Sequence, residues 1–170
     1  MFGNVDLDKH FRHQDFRRYL LQCSLAGLVV LILLLVLDAV TQTVLIAALG
    51  ASAFIAFAMP RHLHSGPRHL IGGYVVGITA GCLMAYMYHS FDVESVSIDH
   101  ALMIVFAALA MSLAMLLMVV TKTEHPPAAA LALGLVLNEW DLLTLTVIIA
   151  GVTGLSLIKR LVLPMLMDLL

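Results

Sequence analysis

Long apolar runs separated by short polar stretches fill the chain from Tyr19 almost to its end. The runs do not alternate as half-buried strands do. They are continuous, as in helices surrounded by other helices or by lipid. Six can be read, at Tyr19–Leu37, Thr43–Met59, Leu70–His89, Ala101–Val120, Pro126–Leu137 and Leu142–Ile158. At a rise of ~1.5 Å per residue, about 20 residues are needed to cross a hydrocarbon core ~30 Å thick. The fifth run is too short to cross as a complete helix, and the second is marginal. The pattern predicts an all-α, polytopic membrane helical bundle with short or broken second and fifth segments.

Charge orders these segments. With six crossings and a cytoplasmic N-terminus, all nine Lys and Arg residues fall on one side: Lys9, Arg12, Arg17, Arg18, Arg61, Arg68, Lys122, Lys159 and Arg160. Asp38, Asp92, Glu94, Asp99, Glu139 and Asp141 fall on the other. Four crossings, with the short segments re-entrant, would put Arg61, Arg68 and Lys122 outside, against the retention of positive charge in the cytoplasm. Six crossings are therefore expected, in a cell inner (plasma) membrane with both termini cytoplasmic. Composition agrees, since 62% of the residues are hydrophobic, 12% are charged and the mean hydropathy is +1.03. A net charge of −2 gives no reason to expect a nucleic-acid partner.

The chain divides into a polar cytoplasmic segment 1–18, a transmembrane domain 19–160 and a short apolar tail 161–170. The mixed charge of residues 1–18 does not resemble a cleaved signal, so the first apolar run is expected to stay in the membrane. Cys23 and Cys82 lie inside apolar runs and read as buried thiols rather than a disulfide.

Two inverted three-segment repeats are expected. The Thr41–Thr43 string TQT after the first run matches TKT at Thr121–Thr123 after the fourth, and Gly77-Ile78-Thr79 resembles Gly151-Val152-Thr153. Three crossings per copy would invert the second copy, and the short second and fifth segments would then correspond. Such paired short segments point to a binding site near the bilayer midplane.

The most distinctive string is Thr123-Glu124-His125-Pro126-Pro127-Ala128-Ala129-Ala130. Proline suits a first helical turn, so His125 is expected beside the N-cap. The amides of Ala128, Ala129 and Ala130 would then point back as a small-anion site. The blander reading makes His125-Pro-Pro only a turn. In the second run, Gly50-Ala51-Ser52-Ala53 offers close helix approach and one hydroxyl, which either meets a substrate or bonds back to its own helix. Gly73, Gly77 and Gly81, spaced by four, read as a packing stripe, and Gly151 and Gly154 as its counterpart in the sixth run.

Between the second and third runs lies Pro60-Arg61-His62-Leu63-His64-Ser65-Gly66-Pro67-Arg68-His69. Its histidines have no carboxylate or cysteine nearby in sequence, so no metal and no cofactor are expected. Arg61, Arg68 and Lys122 are assigned to the cytoplasmic mouth, where they anchor at the lipid interface or gather anions. No GxSxG, HExxH, P-loop or CxxC string occurs, and the apolar segments hold no carboxylate pair. An enzyme is not expected.

The stretch from Gly50 to Gly73, followed by TEHPPAAALAL from Thr123 to Leu133, resembles the HPP family of integral membrane proteins over about residues 20–160. Members are usually described with four transmembrane helices, and some have been linked to nitrite transport in plastids and cyanobacteria. The resemblance covers His125, Pro126, Pro127, Gly50, Ala51, Ser52 and Gly72-Gly73 residue by residue. This chain has His62-Leu63 and Gly66 where members commonly carry Ser-Pro and Gln, and Tyr74 where many have His. Those departures lie in the loop nearest the expected mouth, where they bear on substrate identity.

Together these features predict transmembrane transport of a small inorganic anion, nitrite being the candidate the resemblance implies. The substrate site would comprise His125, Ser52, Ala128, Ala129, Gly50 and Ala51. Uptake against a negative interior would need a proton, which His125 could carry, or a concentration gradient. The alternative is a non-transporting assembly or regulatory partner in the membrane. A homo-oligomer is expected, because so small a bundle needs neighbours to shield its short segments.

Overall fold

The computed structural model describes residues 13–37, 43–92 and 94–169. They form six helices: α1 (His13–Leu37), α2 (Thr43–Ala58), α3 (Pro67–His89), α4 (Val96–Thr121), α5 (Pro126–Leu137) and α6 (Leu142–Val162). There is no strand among the described residues. Three helices, α3, α4 and α6 with its following turn, are long and apolar enough to cross a membrane. The segment α2 is 16 residues long and α5 only 12.

Several helices outrun their apolar cores. The helix α1 begins at His13, inside the stretch assigned to a polar N-terminal segment, and α4 begins at Val96 rather than Ala101. Polar residues that lipid would exclude prolong the first turn of each helix beyond the apolar run. The helix α6 continues through Val162, so the tail proper starts later than residue 161. Asp38 and most of the Thr41–Thr43 string lie outside the described residues.

Helix ends follow local chemistry. Lys122 adopts φ 56°, ψ 52°, its N–H reaches the Val119 carbonyl, and the Thr123 N–H bonds the Met118 carbonyl at 2.9 Å. This is a Schellman stop, with a lysine where glycine is usual. At α6, Asp141 accepts from the Thr144 N–H and hydroxyl, each at 2.7 Å, and these bonds hold its carboxyl below its ordinary range.

The helix α5 occupies the centre. Eight of its twelve residues are buried: Pro127, Ala128, Ala129, Leu131, Ala132, Gly134, Leu135 and Val136. It packs chiefly against α3 and α4, and also touches α2. A helix too short to span is tolerable where protein, not lipid, surrounds it. The closeness comes from the glycine stripe. A Cβ on Gly73 would lie 2.6 Å from the His125 Cβ, one on Gly77 would collide with the Ala128 carbonyl, and one on Gly81 would lie 2.9 Å from the Ala132 carbonyl oxygen. Alanines at 107, 110 and 114 of α4 are buried as well. In α6 Gly151 is buried and Gly154 half-buried. Cys23, expected to be buried, is exposed, because it faces outward from α1.

One end of the bundle gathers the end of α2, the starts of α3 and α5 and the ends of α4 and α6. Arg68 donates to the Thr121 carbonyl at 2.9 Å, and His64 Nδ1 to the Glu124 carbonyl at 2.9 Å. Buried Lys159 donates to the Ser65 carbonyl at 2.9 Å. Arg18 and Arg61 share a cavity with Met165 at this end. At the other end Tyr88 donates to Asp99 at 2.8 Å, joining α3 to α4.

The C-terminal tail seals α2. The last helical carbonyls there lack intrahelical partners. Gln22 Nε2 donates to Phe57, the Leu169 N–H bonds Ala58 at 2.8 Å, and the Met167 N–H donates back to Gln22 Oε1 at 3.1 Å. Gln22→Leu would fill similar space but strand these groups at a cost of about 1–3 kcal/mol. The expected result is a lowered unfolding midpoint in detergent. An unchanged midpoint would mean that the Gln22 bonds to α2 and the tail contribute nothing to stability.

Candidate functional site

Three polar side chains meet inside this apolar bundle. Ser52 comes from α2, Tyr74 from α3 and His125 from the start of α5. Ser52 Oγ lies 2.9 Å from Tyr74 Oη and 2.8 Å from His125 Nε2. All three residues are at most 1% exposed. Ser52 and His125 are 73 positions apart in the chain and in direct contact in the fold.

The proton assignments follow from the partners. Ser52 Oγ also contacts the Ala48 carbonyl at 2.9 Å, and that oxygen can only accept. The serine proton therefore goes to Ala48, as serines in apolar helices commonly bond back one turn. Both lone pairs of Ser52 are then available, and they take the Tyr74 hydroxyl and the His125 Nε2–H. With its proton on Nε2, His125 presents a bare lone pair at Nδ1. That atom is buried and makes no hydrogen bond of regular geometry, although the His64 main chain lies close to the ring. A buried unpaired acceptor carries a desolvation cost of about 1–3 kcal/mol, which an incoming donor would relieve.

The start of α5 differs from the expected anion cradle. Pro126 and Pro127 have no N–H, and the next amides, of Ala128 and Ala129, both bond the His125 carbonyl at 2.9 and 3.3 Å. The first turn thus offers an anion no free donor at these positions. Prolines favour a helix start for the same reason that they empty it, since both effects come from the missing amide hydrogen. The side chains of Ala128 and Ala129 are buried against the neighbouring helices.

Of the other expected site residues, Ala51 is exposed and Gly50 has open space beside it. Neither faces His125, because successive helical residues are turned by about 100°. The structure brings Ser52 and His125 together and leaves Gly50 and Ala51 on other faces of α2. Arg61, Arg68 and Lys122 are all exposed at the basic end, and the Arg68 guanidinium is engaged with Thr121. Tyr74 belongs to the cluster and was missed. The available signal was a hydroxylated aromatic next to Gly72-Gly73 in an apolar run, since a buried tyrosine hydroxyl usually needs a partner.

An apolar cavity of about 210 Å³ adjoins the cluster between α4 and α5, lined by Met111, Met115, Met118, Glu124, His125 and Ala129 among others.

The family model described as HPP, transmembrane region, matches residues 12–165. Two transmembrane proteins of Dictyostelium discoideum are similar. One is 36% identical over 115 residues, 65% of this chain and 36% of that protein. The other is 35% identical over 91 residues, 52% of this chain and 26% of that protein. The chain thus spans about a third or less of the length of these relatives. No solved structure matches.

Proposed function

The chain belongs to the HPP transmembrane family, and from that premise we propose that this membrane protein transports a small inorganic anion together with a proton. Nitrite is the first substrate to test. The observation that carries the proposal is the unpartnered Nδ1 of His125 within a buried Ser52–Tyr74–His125 cluster. A bare imidazole lone pair repels an anion. Once protonated, Nδ1–H becomes a charged donor, and an anion beside it is neutralised. Anion and proton would then move as a neutral pair, free of the ~2.3 kcal/mol per 100 mV that opposes a lone anion entering a negative compartment.

The two short helices favour a site inside the bundle, at the crossing of α2 and α5. The contact pattern suits paired repeats. Exchanging each helix for the one three places along sends α1–α2 to α4–α5, α1–α6 to α3–α4 and α2–α6 to α3–α5, and every pair so produced is a packed one. The pairs α2–α5 and α3–α6 map onto themselves and are packed too. Together with alternating helix ends and a basic end turned to the cytoplasm, this favours six crossings in two inverted halves.

The test is nitrite uptake into proteoliposomes holding a trapped pH indicator. Saturable uptake should acidify the lumen in step with nitrite entry and should not respond to an imposed membrane potential. Potential-driven uptake without proton movement would overturn the coupled reading. Folded protein that moves neither nitrite, nitrate, formate nor chloride would favour an assembly or regulatory role in the membrane.

A further inference from the structure

The polar end holds a second cluster that the transport reading does not use. The short turn Leu63–Ser65 and the first turn of α3 bring His64 and His69 together, with rings edge to face at 5.4 Å between centroids. The α4–α5 connection adds Glu124, 60 positions from His64. His69 Nε2 lies 3.5 Å from Glu124 Oε2. One possible ligand atom from each of the three side chains falls within 4.8 Å of the other two. The sequence pattern set a metal aside because no carboxylate lay near these histidines in the chain, and the fold supplies one from elsewhere.

We propose that His64, His69 and Glu124 bind one divalent transition-metal ion, with zinc the first candidate. Two imidazoles and a carboxylate, with a fourth position left to water, are a common donor set for Zn²⁺. At bond lengths of 2.0–2.1 Å, tetrahedral ligand atoms stand about 3.3 Å apart, so the His69–Glu124 pair is already close to that spacing. The third ligand closes by side-chain rotation. Orientation is also provided. The Glu124 carbonyl can only accept, so the His64 Nδ1 that contacts it carries the proton. The other ring nitrogen keeps its lone pair. A ligating histidine held by a backbone carbonyl through its second nitrogen is the usual outer-shell arrangement. His69 is buried and His64 and Glu124 are half-buried, so the site is shielded but reachable. A bound ion would tie the α2–α3 loop to the residue preceding His125. The proposal does not depend on the transport reading.

The full chain, purified without a histidine tag and stripped with chelator, would be titrated with Co²⁺ and then Zn²⁺. One equivalent of Co²⁺ should produce the intense visible bands of a four-coordinate site, and Zn²⁺ should bleach them. Glu124→Gln should weaken binding at least about 10-fold. It is also the variant least liable to misfold, because His64 bonds the main chain of Glu124, and gel filtration checks that it stays folded. His64→Gln should act alike, whereas His62→Gln should leave affinity unchanged. Lack of saturable binding by folded protein would overturn the proposal. So would binding that survives both Glu124→Gln and His64→Gln.

Discussion

Gly77→Ala should abolish accumulation of folded protein, although it adds a single methyl group. The new Cβ would fall on the carbonyl of Ala128, and the carbonyl carbon would lie 3.1 Å away. Neither atom can rotate aside, so α3 and α5 must separate along the contact that buries α5. Overpacking usually costs about 1–3 kcal/mol when side chains can yield, and here the backbone must move, so the cost should reach at least the top of that range. A graded series isolates the cause. Gly81→Ala would meet the Ala132 carbonyl oxygen at 2.9 Å and should be severe, while Gly72→Ala meets only the Thr123 methyl at 2.8 Å and should be milder. Gly50→Ala has nothing within 4 Å and should be neutral. Fluorescence-detected gel filtration of the four variants checks this order. A Gly77→Ala protein as abundant and monodisperse as wild type would show that α3 and α5 do not pack as described.

His125→Gln should leave the protein folded yet lower coupled nitrite flux by about 100-fold or more, in line with the loss of a positioned proton carrier. The glutamine amide can still donate to Ser52, so the buried hydroxyls keep a partner, but it has no basic nitrogen to take a proton. Tyr74→Phe removes one donor to Ser52 and leaves the imidazole untouched. It should cost about 1 kcal/mol of stability and retain most of the flux. Flux and lumen pH recorded side by side separate these outcomes. Full coupled flux in His125→Gln would reduce the histidine to a structural bond and move the proton elsewhere.

The helical architecture and the placing of Ser52 and His125 in one region were legible for a physical reason, though their direct bond was not. Polar groups stand out in a chain whose solvent is lipid, and a Gly-Ala-Ser string and a His-Pro-Pro string both interrupt apolar runs. The glycine stripe was legible because spacing by four keeps Gly73, Gly77 and Gly81 on one helix face. Tyr74 was hidden because tyrosine is equally at home at a lipid interface, where it needs no protein partner. Glu124 was hidden because its relation to His69 exists only once the α4–α5 connection folds back over the start of α3. The anion cradle at α5 was misjudged by treating all helix starts alike. Residue identity at the first two positions removes the donors that the general rule supplies.

The brevity of α5 also bears on how the protein is made. A segment of 12 residues covers about 18 Å, well short of the hydrocarbon thickness, and cannot partition into a bilayer as an independent stem. Its groove between α3 and α4 has to exist first. The order of synthesis provides that groove, because both helices precede α5 in the chain. Until α5 settles, the glycine face of α3 lacks the helix it packs against in the fold. The helix α5 therefore enters the bundle by docking, and Ser52, Tyr74 and His125 come together only when that step is complete.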